Sequence, residues 1–112
     1  MKSKFEFDNV QLEADFSDFE TMQAYEQAME MLVESSKKVC TKASERILFE
    51  CECINRAFDM IFGEGSAKRI FKGKINRDVA YTALYALHDH VAKAQILSNE
   101  KIKEMASKYQ RG

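Results

Sequence analysis

Only glycine, caps and short polar residues can stop a helix in this chain, because its 112 residues include no proline. Helices can therefore run long. Three of the four glycines fall in one stretch, Phe62 to Lys74, written FGEGSAKRIFKGK. The main break in the chain is placed there.

Before that break two periodicities follow one another. Over residues 4–16, Phe5, Phe7, Val10, Leu12, Ala14 and Phe16 are apolar, with Lys4, Glu6, Gln11, Glu13 and Asp15 among them. That alternation predicts half-buried strands, and Asp8-Asn9 is the turn, since both residues tolerate left-handed backbone. Alone such a hairpin is marginal, so it must pack on something. Ser17-Asp18-Phe19-Glu20 then reads as a capping box opening a helix to about Val39. Its stripe is Met22, Tyr25, Met29, Leu32 and Val33, with acids at its start and Lys37-Lys38 at its end. Thr41 can cap a second helix over about 42–62, with the stripe Ala43, Ile47, Cys51, Ile54, Phe58 and Ile61, widened by Leu48 and Phe62.

Gly63 is expected to end that helix in a left-handed cap. Ser66 would cap a short helix through Phe71, stopped by Gly73. Asn76 would cap a third long helix, buried through Ala80, Ala83, Leu84, Leu87, Val91 and Ala94. The pattern weakens near Ser98-Asn99. The polar segment beyond carries Ile102, Met105 and Tyr109 at helical spacing. The expectation is a mainly α chain: three long helices plus a short connecting helix, with a small N-terminal β-hairpin. Residues 1–97 form one helical domain, and 98–112 a polar tail compatible with helix.

Charge and composition exclude several roles. Seventeen basic and eighteen acidic residues leave a formal charge of −1, without the basic surplus that wholesale nucleic-acid binding needs. No apolar run nears the roughly 18–20 residues of a membrane span, and residues 1–8 lack a signal-peptide core. With Cys40, Cys51 and Cys53 an odd set and no disulfide framework, the expected compartment is the cytoplasm.

The glycine stretch is not a phosphate cradle. It follows an amphipathic helix rather than a buried strand, the next helix is short, and Glu64 would repel phosphate. Gly63, Gly65 and Gly73 read as a hinge. Lys68, Arg69, Lys72, Lys74 and Arg77 could form a positive patch for an acidic partner or nucleic acid, although a solvated helix face explains them too. Cys51 and Cys53 stand two apart on a helix, about 200° around its axis, and cannot share a metal ion. His88 and His90 meet the same objection, with His88 at the stripe's edge and His90 facing water. No nucleophile–base pair is visible in the sequence, so no catalytic residue, cofactor or metal is assigned. Met22, Met29, Met31 and Met60 read mainly as core filling, though Met-rich faces also adapt to varied partners.

The FEF…LEADF segment, the acidic helix ETMQAYEQAME and the stretch FDMIFGEGSAKRIFKGKIN together resemble a family of small proteins from phages and prophages of Gram-positive bacteria, the tail assembly chaperones. The resemblance covers about residues 4–97. It implies a non-enzymatic role in the bacterial cytoplasm: coating the apolar helices of the tape-measure protein, keeping them soluble, and giving way as tail-tube subunits polymerise. Exposure logic, not any family motif, points to Ile96, Leu97, Ile102, Met105 and Tyr109 as partner contacts, with Lys68, Arg69 and Lys72 as a charged rim. Self-association through the same surface is equally open. The alternatives are a helical nucleic-acid-binding regulator using the 68–77 cluster, and a structural subunit of the virion.

Overall fold

Alternation at the N-terminus becomes a two-stranded antiparallel hairpin, β1 (Ser3–Phe7) and β2 (Val10–Ala14), with Phe5 opposite Leu12 and Phe7 opposite Val10. The structure, a computed structural model, describes residues 2–110. Asp8 and Asn9 take φ of 50° and 64°, the paired left-handed geometry whose twist matches that of the strands. One face, Phe5, Leu12 and Ala14, is buried; Lys4, Glu6, Gln11 and Glu13 point outward.

Four helices follow: α1 (Phe19–Ser35), α2 (Ala43–Phe62), α3 (Ser66–Phe71) and α4 (Arg77–Gln110). The fold is thus mainly α, three long helices and a short connector with the hairpin. The hairpin's apolar face lies on α2, α3 and α4, while α1 runs along α2. Phe16, Phe58, Leu12, Ile54, Ile70 and Leu87 are the largest fully buried side chains. Their centre is aromatic: the Phe58 ring lies 5.9 Å from Phe5 and 5.6 Å from Phe71, and Phe16 lies 6.1 Å from Phe62. Tilted and edge-on rings at such separations add to plain burial.

Polar contacts pin the hairpin at both ends. At the turn, Lys72 pairs with Asp8 at 3.2 Å and Arg69 donates to the Gln11 carbonyl at 3.3 Å. At the open end, Ser3 Oγ lies 2.9 Å from His90 Nε2, and Gln95 donates to the Phe16 carbonyl at 2.6 Å.

Several helix ends differ from the sequence reading. Ser17 stands one residue before the α1 cap position, which Asp18 occupies, and its hydroxyl donates to Asp15 at 2.5 Å. That contact and a backbone bond from Ser17 hold the Asp15 carboxyl down at about 2. α1 stops at Ser35, four residues before Val39. The Ser36 hydroxyl folds back to the Val33 carbonyl at 2.6 Å, so Lys37 and Lys38 fall in the following turn. Local bonding by serine hydroxyls competes with helix continuation in this way. Val33, Ala43 and Leu48, assigned to buried stripes, are exposed. Thr41 contacts Glu45 at 3.3 Å, and Lys42 takes the α2 cap position. Gly63 closes α2 at φ 109°, ψ 157°, positive but outside the left-handed helical region. Ser66 is the buried first residue of α3 rather than its cap; Asp59, on α2, accepts from the Ala67 N–H at 2.9 Å. Lys72 and then Gly73 take positive φ at the end of α3. At α4, Asn76 Oδ1 accepts from the Val79 N–H at 3.0 Å. α4 itself crosses Ser98-Asn99 without a break.

Candidate functional site

The buried face of α4 is built from Ala80, Ala83, Leu87 and Val91, with Leu84 and Ala94 half-covered. Cover ends where the hairpin ends, since Ser3 reaches His90 and the Phe16 carbonyl reaches Gln95. From Asn99 to Tyr109 every side chain is exposed. The face nevertheless continues: Val91, Ala94, Ser98, Ile102, Met105 and Tyr109 follow one another in steps of three and four, so they share one side of the helix. Ile102 is 62 % exposed and Tyr109 84 %. An apolar stripe that is core over its first half thus becomes surface over its second.

At the base of the projecting segment lies a groove of about 410 Å³, lined by the apolar Phe16, Ala94 and Leu97 and by polar residues that include Lys101 and Glu104. Leu97 therefore belongs to the groove. Ile96 does not: it stands two residues from both Ala94 and Ser98, about 200° away around the helix. The structure therefore brings Ile102, Met105 and Tyr109 to one side of α4, sets Leu97 on the groove flank of that side, about 80° around the axis from Met105, and leaves Ile96 opposite Met105.

The basic residues assigned as a charged rim lie elsewhere. Arg69 and Lys72 hold the hairpin turn, and Arg77 pairs with Glu50 at 2.7 Å. Lys68 is exposed on α3. The turn end of the hairpin faces Val79, and Ile102 is 23 residues further along α4, roughly 35 Å at the helical rise. Lys68, Arg69 and Lys72 cannot border the α4 tail. Three of the five basic residues across 68–77, Arg69, Lys72 and Arg77, thus have intramolecular partners.

His90, read as facing water, turns inward. Its ring centre lies 5.7 Å from Phe5 and 5.9 Å from Phe16. The hairpin covers a second strip of α4, and that strip includes His90. Burial pushes the imidazole below its usual value; Asp89 opposes that shift and Lys93 adds to it. His88 is exposed, with Nδ1 2.7 Å from the Tyr25 hydroxyl. Burial raises the Tyr25 phenol. These two hydroxyl–imidazole contacts join residues 87 and 63 positions apart, so no local pattern announces them. Ser3 and His90 have the atom types of a nucleophile and base, but aromatic rings flank the imidazole where a substrate would need room. They act as a clasp between β1 and α4.

Cys51 and Cys53 are both buried, and burial raises the Cys51 thiol, away from thiolate reactivity. Among the described residues no group of three or more His, Cys, Asp or Glu side chains could hold a metal ion. No described helix is long and apolar enough to cross a membrane. A second groove, also about 410 Å³, runs between the end of α1, α2 and the start of α4 past Leu32, Phe49, Tyr81 and Leu84.

A family model described as a family of unknown function (DUF6673) matches residues 8–112. No curated protein and no solved structure matches the chain.

Proposed function

Since the chain belongs to the DUF6673 family, whose function is unknown, we propose from its own surface that it is a non-enzymatic helix-binding protein, acting as a phage or prophage tail assembly chaperone. Its partner would be the tape-measure protein, an apolar, helical client that must stay soluble in the host cytoplasm until tail-tube subunits surround it. The observation that carries this reading is the α4 stripe, which leaves the core at Ala94 and continues in solvent through Ile102, Met105 and Tyr109. An amphipathic helix with one uncovered face fits another helix at i, i+3, i+4 and i+7 positions, and exposed apolar runs of this kind mark interaction surfaces. The sequence resemblance to tail assembly chaperones supplies the biological setting.

In the alternative reading, a nucleic-acid-binding role for residues 68–77, phosphate would compete with the intramolecular contacts of Arg69, Lys72 and Arg77. The test is co-expression with a tape-measure protein from the same genome, followed by size exclusion of the soluble fraction. The expected result is a soluble complex that is lost when Ile102, Met105 and Tyr109 are all changed to Ser. A tape-measure protein that stays insoluble and unbound overturns the proposal. Finding this chain in purified particles would instead make it a structural subunit.

A further inference from the structure

The α4 tail and the groove at its base lie on one helix, and they fit each other only if one of them belongs to another molecule. Tyr109 is twelve residues beyond Leu97, about 18 Å along the axis, so a tail cannot reach the groove of its own α4. A second copy running antiparallel can. We propose that two copies of this chain pair through residues 97–109 of α4, each seating Met105 and Tyr109 in the groove of the other.

Three features select a second copy in this orientation. The first is reciprocity. A two-fold axis close to the level of Ile102 and Lys103 sets Tyr109 of one copy beside Leu97 of the other, and the same operation fills the second groove. One surface serves both molecules, as an isologous dimer requires.

The second is charge. At that register Lys101 of each copy faces Glu104 of the other, and the pair occurs twice. Both residues line the groove. Lys108 falls within one turn of Glu100 of the second copy. Parallel pairing would bring tail beside tail, carry Lys101 and Glu104 of the two copies to opposite flanks of the contact, and leave both grooves empty.

The third is shape. Phe16, Ala94 and Leu97 give the groove an apolar lining, and its volume of about 410 Å³ admits an aromatic side chain. Ser98 is the one small polar residue between Ala94 and Ile102 on the stripe, which leaves space for a large side chain from the opposite helix. Contact then extends past the tails to Phe16 and the open end of the hairpin, so the dimer does not rest on two bare helices.

The pairing is independent of the chaperone reading, although a client helix would compete for the same stripe. Sedimentation equilibrium on the full chain tests it directly. The wild type is expected to show a concentration-dependent species of twice the 12.9 kDa chain mass. Lys101→Glu and Glu104→Lys should each weaken association about tenfold or more, because both salt links become repulsions. Mixing the two variants in equal amounts should restore a heterodimer, since every facing pair is then opposite in sign. Restoration cannot come from variants that have failed to fold, and circular dichroism of each alone gives the control. A wild type that stays monomeric at its highest soluble concentration overturns the proposal. So does a dimer that survives both charge changes and Tyr109→Ser. Failure here with tape-measure binding intact would leave the client as the only occupant of the stripe; a dimer without client binding would do the reverse.

Discussion

Phe58 carries more of the fold than any exposed residue of α4, and the contrast is measurable. It is fully buried on α2, and its ring meets Phe5 of β1 and Phe71 of α3. Phe58→Ala is expected to cost about 3–5 kcal/mol, the usual range for an emptied aromatic site. Ile96→Ala, on the uncovered back of α4, should stay within about 0.5 kcal/mol. Urea unfolding followed by circular dichroism compares them; equal losses would mean that Ile96 is covered. His90 gives a prediction of opposite character. Burial between Phe5 and Phe16 lowers its folded value from 6.5. Below pH 6.5 the unfolded chain therefore binds this proton more readily than the folded one, and stability falls with pH. Between pH 7.5 and 5.5 the wild type should lose stability that His90→Gln does not lose. A parallel slope in the two proteins would assign the effect elsewhere.

Elements were legible in the sequence where their cause is local. Period-two alternation and Asp8-Asn9 define the hairpin, and apolar spacing with Asn76 marks α4. Ends decided by distant partners were not legible. Asp59 reaches forward from α2 to the Ala67 N–H, so Ser66 can be buried although a serine in that position reads as a cap. Ser36 closes α1 early through its own hydroxyl. His90 turns inward because the hairpin lies over it, a fact of packing that helical spacing does not contain. The candidate site was half legible: Ile102, Met105 and Tyr109 showed their spacing, but the groove needs Phe16 from the hairpin as well as Leu97 from α4. If the projecting part of α4 is an outgrowth of a complete body, a chain stopped at Asn99 should still unfold in one sigmoidal transition. Loss of that cooperativity in thermal circular dichroism would show the tail to be part of the core.

As a whole the molecule measures 65 × 30 × 21 Å with a radius of gyration of 16.8 Å, against about 13 Å for a rounded domain of this length. The projecting third of α4 accounts for the excess, and no glycine or proline interrupts it. The hairpin clasps the same helix near its middle, through Ser3 at His90 and the Phe16 carbonyl at Gln95. α4 is therefore a crank fixed in a bearing. The azimuth of Met105 and Tyr109 is dictated by how Leu87 and Val91 sit in the core, some five turns away. A single residue inserted between Gln95 and Asn99 would swing the outer stripe by about 100°, with every side chain and charge retained, and whatever grips the tip would meet the wrong side of it.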